Sequence, residues 1–421
     1  MVKWMRKCAR LIGPGFVSGA SGDDPSGIAT FSQAGAGFGY SLGWTMLFSF
    51  PLMSAVQYIS GSIGAATGKG LAGNLKGRYP AWILVSLSVL VFVANTITVG
   101  ADIGAMGAAT QLLIPLEPFI FVVAYGILSV LLISFLKYQS YSRYLKWLGL
   151  SLLAYVASAI AAKTDWPSAL WGFFVPSFSA NAKWLAIVVA ILGTSISPYL
   201  VFWEASQEVQ KEKDKGRAHH RKALRDKPSR GGKERRRLRA DTIFGMGVSQ
   251  LVGAFIIVTC AATLNKQGHT EIKSAAEAAA ALRPIAGKLT SVIFSAGIVG
   301  TGLLAVPVLA GSAAFAFGEE FGWKVGLDMT PKQAKAFYGI IALATAIGVA
   351  LNLVGVNVIS FLIASAIING VVELPVIVMM MLVARRKSIM GEFAISLPWE
   401  ILGWVTLAVM TAAALAMALT L

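Results

Sequence analysis

The sequence predicts an all-α polytopic membrane protein of about 11 transmembrane helices. Composition is the first reason. Of 421 residues 56% are hydrophobic and only 13% are charged, with a mean hydropathy of +0.69. A soluble domain carries about 25% charged residues, so lipid is the natural solvent for this chain. The other two reasons are the lengths of the apolar runs and the side on which the basic residues fall.

A spanning helix needs roughly 20 apolar residues. Eleven runs meet that length: 11–33, 41–65, 82–108, 117–136, 145–162, 184–207, 241–264, 289–317, 336–354, 357–384 and 397–419. With the N-terminus assigned to the cytoplasm, 30 of the 36 Lys and Arg residues fall on that side. The other 6 are Lys163, Lys183, Lys266, Lys273, Arg283 and Lys288. Such a split is the positive-inside rule, and it fixes orientation and span parity together. The C-terminus is then extracytoplasmic and the location is the plasma membrane. The first run carries Asp23 and Asp24 and lacks a small-residue cleavage site, so it reads as a retained span rather than a signal peptide.

The net charge of +16 is therefore mostly topology plus contact with the anionic headgroups of the bilayer. The densest part, Glu208–Ala240, contains Arg235-Arg236-Arg237-Leu238-Arg239 and reads as a solvated basic cytoplasmic loop. No aromatic residue interleaves its charges, so no nucleic-acid partner is expected. Spans one to five (11–162) and six to ten (184–384) have opposite orientations because five is odd. That is an inverted repeat, within a single transporter-like domain that ends in an extra helix at 397–419.

Two spans carry helix breakers. Span one contains Asp23-Asp24-Pro25-Ser26-Gly27 among several glycines, and span six contains Gly193-Thr194-Ser195-Ile196-Ser197-Pro198-Tyr199. Each proline removes a backbone hydrogen bond and pushes the residue before it, Asp24 or Ser197, out of the α region. Paired interruptions in the two halves of a repeat point to a central binding site. A carboxylate at that depth costs about 2.5–3.5 kcal/mol on insertion scales, and no Lys or Arg lies deep in any span to pair with Asp24. Asp24 thus reads as a cation ligand, against the plainer role of a capping residue. Asp23 either lines the aqueous approach or caps the half-helix.

At these residues the chain resembles the natural resistance-associated macrophage protein (NRAMP) family of divalent-metal transporters. Gly13-Pro14-Gly15-Phe16 followed by Asp24-Pro25-Ser26-Gly27 is similar to the family signature GPGF … DPGN. Phe38-Gly39-Tyr40-Ser41-Leu42 and Gln57-Tyr58 continue the likeness through span two. Ser197-Pro198-Tyr199 stands where the family has Met-Pro-His, and Glu373-Leu374-Pro375 where it commonly has Gln-Leu-Pro. The resemblance implies a LeuT-like 5+5 inverted repeat with broken helices 1 and 6. It implies proton-coupled import of Mn2+ or Fe2+, and a site carried over as Asp24, Gly27, the carbonyl of Thr194, and Ser197.

The departures from that pattern shift the expected ion. Gly27 lacks the family's amide side chain, and the hydroxyl of Ser197 replaces a soft thioether. Carboxylate, carbonyl and water suit Mg2+, which dehydrates reluctantly and keeps several waters. Losing two side chains should also enlarge the cavity. The pattern looks like the family's NRAMP-related magnesium transporter branch. A similar loss of Met occurs in plant aluminium carriers of the family, which makes Al3+ a weaker option.

The resemblance also implies less proton coupling. Tyr199 and Glu204 take the family's histidine places, Asp102 lacks the expected acidic partner, and no histidine lies in any span. The pathway candidates are Tyr199, Glu204, Asp102, Asn369 and Glu373, the last two sharing a helix face at i, i+4. Glu319 and Glu320 are expected at a solvated helix end. Cys8 and Cys260 read as unpaired small hydrophobes.

The sequence therefore favours transport of partly hydrated Mg2+, with Mn2+ also carried, by alternating access and without proton coupling. A proton-coupled Mn2+/Fe2+ symporter is the alternative. A sodium-coupled carrier of organic solutes is disfavoured, because Asp24 would repel an anionic group. A membrane receptor or enzyme is disfavoured because no catalytic set is visible. The expected partners are the divalent ion and the bilayer. No cofactor is implied, and the oligomeric state is open.

Overall fold

The computed structural model describes residues 22–135, 150–219, 224–226 and 231–420, and every regular element among them is helical. The Gly13–Phe16 signature, Cys8 and the first part of span one lie outside the described residues. So does part of span five.

Helix α1 (Pro25–Phe38) is the half of span one beyond the break, and α2 (Gly43–Thr67) follows almost directly. Then come the short α3 (Leu71–Leu75), α4 (Ala81–Gln111), α5 (Pro118–Phe135) and α6 (Leu153–Ala161). The connection α7 (Trp166–Phe174) leads to the two halves of span six, α8 (Ala182–Ser195) and α9 (Pro198–His219). The second half of the chain continues with α10 (Gly231–Thr263), α11 (Ala275–Ala280), α12 (Thr290–Phe321), α13 (Lys335–Leu351), α14 (Val358–Ala384) and α15 (Leu397–Ala418). Nine segments among the described residues are long and apolar enough to cross a membrane, one of them holding both α1 and α2.

The predicted breaks in spans one and six are both present. Gly22 is helical, Asp23 and Asp24 are not, and α1 restarts at Pro25. Pro25 occupies the first turn, where its missing N–H costs nothing, and Asp24 is the N-cap with extended backbone (φ −69°, ψ 168°). In span six, α8 ends at Ser195 with the Ile196 N–H on the Leu192 carbonyl, and α9 begins at Pro198. By contrast Pro375 sits inside α14 without ending it.

Small residues let the helices that frame the breaks touch backbone to backbone. A Cβ on Gly193 would collide with the Ala366 carbonyl and the Gly370 N–H, and one on Gly370 would lie 3.2 Å from the Gly193 Cα. A Cβ on Gly64 would strike the Ala205 carbonyl, so α2 and α9 are equally close.

Two expectations are corrected. Glu208–Ala240 is not mainly a loop: α9 runs on to His219 and α10 starts at Gly231, while Lys233, Arg235, Arg236 and Arg239 are exposed as expected. Lys, Arg, Glu and Gln are good helix formers, so the charge that excludes this stretch from lipid does not end its helices. Within it Arg237 binds Glu208 at 2.7 Å, Glu234 at 3.0 Å and Asp241 at 3.7 Å, and Glu208 is fully buried. Glu319 and Glu320 do not form a freely solvated end either, Glu319 being only half-buried. The Glu319 carboxylate accepts the N–H groups of Gly70 (3.1 Å) and Gly73 (3.0 Å) at the start of α3, and Glu320 is buried. Free N–H groups at a helix start attract a carboxylate, and here it comes from a helix far away in sequence.

Candidate cation site

The two breaks meet. Asp24, 1% exposed, accepts the Ser26 hydroxyl and the Gly27 N–H on Oδ1, each at 2.7 Å. The plainer capping role is therefore real, and it uses one oxygen. Oδ2 has a longer contact, 3.4 Å from the Tyr199 hydroxyl of α9. A carboxylate accepts at about four lone-pair positions, so Asp24 keeps capacity for a cation on its Oδ2 side.

Gly27 faces α8. A Cβ there would lie 2.9 Å from Thr194 Oγ1 and 3.5 Å from Asp24 Oδ1. The enlarged cavity expected from Gly27 is thus absent here, because Thr194 leans into the space. The Thr194 hydroxyl is buried and has no hydrogen-bond partner among the described residues. Ser197 donates its hydroxyl to the carbonyls of Gly193 (2.5 Å) and Thr194 (3.1 Å), two groups that the break leaves without helical partners. The Thr194 carbonyl and the Ser197 oxygen each retain lone pairs. The result is one carboxylate among neutral oxygens. No cluster of three His, Cys, Asp or Glu suited to a metal ion occurs among the described residues.

The other candidates divide. Asp102 of α4 is fully buried, within electrostatic reach of Asp24, and faces the Ser26 backbone N–H. Tyr199 lies within electrostatic reach of Asp23, Asp24 and Asp102. Asp23 turns to α10, where Ser249 donates to its Oδ1 at 2.7 Å. Glu204 packs against α2, with its Oε1 3.2 Å from where a Gly61 Cβ would be. Asn369 donates to Thr98 of α4 at 3.0 Å.

Glu373 is fully buried, and neither oxygen has a partner among the described residues. Its helix α14 and α8 belong to spans separated by an even number of crossings, so they run the same way. One turn beyond the Gly193–Gly370 contact, at 1.5 Å per residue, Glu373 comes level with Ser197. Its place on α14 lies between the face that meets α8 (Gly370) and the face that meets α4 (Asn369). Sequence reading missed Ser26, the Thr194 hydroxyl and Ser249. Ser26 was legible as part of the capping segment, whereas the other two depend on long-range packing.

With the geometry in hand, comparison with known proteins decides the family. The profile described as Nramp, natural resistance-associated macrophage protein-like, matches residues 15–420. The chain belongs to the Nramp family. Its curated relatives include the divalent metal cation transporter MntH of Yersinia pestis (strain Pestoides F). That protein is 24% identical over 409 residues, covering 93% of this chain and 90% of the relative. MntH of Erwinia tasmaniensis is 26% identical over 307 residues, covering 70% and 68%. Among solved structures, the Eremococcus coleocola manganese transporter aligns with a TM-score of 0.78 at 16% identity, covering 96% of this chain and 85% of that one. MhsT, solved with L-phenylalanine, aligns with a TM-score of 0.57 at 12% identity, covering 96% and 97%. At such identities the likeness is one of fold, and the fold is the LeuT-like inverted repeat expected of an Nramp protein.

Proposed function

We propose that this Nramp protein carries a divalent cation across the membrane by alternating access, with Mg2+ preferred and Mn2+ also accepted, and without obligatory proton coupling. The observation that carries the proposal is the meeting of the two helix breaks around Asp24. One charged oxygen faces Tyr199, and the remaining groups are the hydroxyl and carbonyl oxygens of Thr194 and Ser197. All are hard donors that suit a small, strongly hydrated ion.

Asp24 and Tyr199 are enclosed here, so access requires one helix group to move against the other around the breaks. With the basic side cytoplasmic, an inward-negative potential drives uptake by about 2.3 kcal/mol per charge per 100 mV. Asp24 serves as the anchor, Tyr199 and Ser197 line the ion's water shell, and Asp102 and Glu373 stand beside the path. The capped oxygen of Asp24 stays fixed while the other exchanges ion for water.

The test is uptake into proteoliposomes under an inward-negative potential, with Mg2+, Mn2+ and internal pH followed in parallel. Mg2+ entry without matching acidification is expected. Mn2+ entry without Mg2+ entry, or acidification proportional to metal uptake, would favour the proton-coupled Mn2+/Fe2+ alternative.

A further inference from the structure

We propose that Ser249 of α10 is a positioning residue of the cation site, holding Asp23 so that this second carboxylate receives the water shell of the passing ion. The proposal rests on the divalent-cation reading above and extends it to a residue outside both breaks.

Asp23 is 7% exposed and stands at a point where the chain is not helical. Among the described residues no Lys or Arg pairs with it, and Ser249 is its one hydrogen-bond donor, at 2.7 Å on Oδ1. The Asp24 carboxylate is within electrostatic reach of Asp23, and the preceding residue, Gly22, packs mainly against apolar side chains. A Cβ on Gly22 would lie 3.5 Å from Leu200 Cδ1 of α9, 4.0 Å from Met53 Cε of α2 and 4.0 Å from Ser249 Oγ. A carboxylate in such a grip costs free energy, and a single neutral hydroxyl offsets only part of that cost.

The serine is itself held in register. The neighbouring Gln250 donates to Ser49 of α2 at 2.6 Å, pinning α10 to α2 at this level. Ser249 therefore fixes one oxygen of Asp23 and leaves the other to accept. Asp24 Oδ2 faces the Tyr199 hydroxyl of α9, whereas Asp23 Oδ1 accepts from Ser249 of α10, so two different helices hold the carboxylates apart. A hydrated divalent cation spans that separation through its waters, with inner contact at Asp24 and outer contact at Asp23. Asp23 also lies within electrostatic reach of Tyr199, as does Asp24.

Hydrogen-bonding partners of metal-binding groups commonly contribute 10–100-fold to affinity. Ser249→Ala is expected to raise the KM for Mg2+ flux by about tenfold while kcat changes less than about twofold. Ser249→Thr, which keeps the hydroxyl, should retain the wild-type KM. Because Ser249 acts through Asp23, adding Ser249→Ala to Asp23→Asn should raise KM no further. An unchanged KM in Ser249→Ala, a Thr variant as impaired as the Ala variant, or additive effects in the double variant would each overturn the proposal. Wild-type protein that carries no Mg2+ would instead overturn the divalent-cation reading, and this proposal with it.

Discussion

Replacing Glu319 by alanine removes a contact that joins α12 to the start of α3, at Gly70 and Gly73, which lie 249 and 246 residues away in sequence. Its carboxylate is the acceptor for both N–H groups at the start of α3, at 3.1 and 3.0 Å. Hydrogen bonds to a charged acceptor contribute about 1.5–3 kcal/mol each when shielded. This site is only partly buried, and water can reach the freed N–H groups, so the expected loss is about 2 kcal/mol in all. Gly70 carries the same contact from the other side, since a Cβ there would collide with the Glu319 carboxylate. Gly70→Ala should therefore destabilise as well. The double variant should lose less than the sum, because both changes break one contact. Thermal unfolding of the purified variants in one detergent provides the assay. A loss below about 0.5 kcal/mol for Glu319→Ala, the range of ordinary surface substitutions, would refute the reasoning. Strict additivity with Gly70→Ala would refute it too.

Further expectations concern the site and the surface. Ser197→Met should shift transport toward Mn2+ over Mg2+, because a thioether selects softer ions; an unchanged ratio in competition flux would place selectivity elsewhere. Glu373→Gln should lower Mg2+ flux by about tenfold with little change in melting temperature, a tenfold effect being about 1.4 kcal/mol; wild-type flux would remove Glu373 from the path. At the surface, Lys183 holds the Glu271 carboxyl below its ordinary value of 4.5, and the Ser168 hydroxyl and N–H hold Asp165 below 3.8. A depressed carboxyl contributes stability that is present above its unfolded value and is lost as pH falls through its folded value. The stability gap between wild type and a Glu271→Gln/Asp165→Asn variant should therefore close on acidification from pH 7 to about 3; a gap independent of pH would contradict this.

Much of the framework was legible because it depends on chemistry local in sequence. Apolar runs and basic connections gave the spans. Asp24-Pro25 and Ser197-Pro198 gave the breaks, since a proline acts on its own backbone and the residue before it. What stayed hidden depends on how distant segments pack. The space beside Gly27 looked open, yet Thr194 fills it. The charges of Glu208 and Glu319 looked solvated, yet each meets donors from another helix. Hydropathy records that a segment leaves the membrane, not that its helix stops, so α9 and α10 outran their predicted ends. Ser249 lies in an apolar span where one serine is unremarked until the fold sets it on Asp23.

The central claim is that Asp24 holds the ion where the two breaks meet. Mg2+ uptake by proteoliposomes bearing wild type or Asp24→Asn, at matched protein density and imposed potential, tests it most directly. Asparagine keeps the shape and a capping oxygen, so the fold should persist while Mg2+ uptake falls to the level of empty liposomes. Uptake by Asp24→Asn at the wild-type rate would contradict the account.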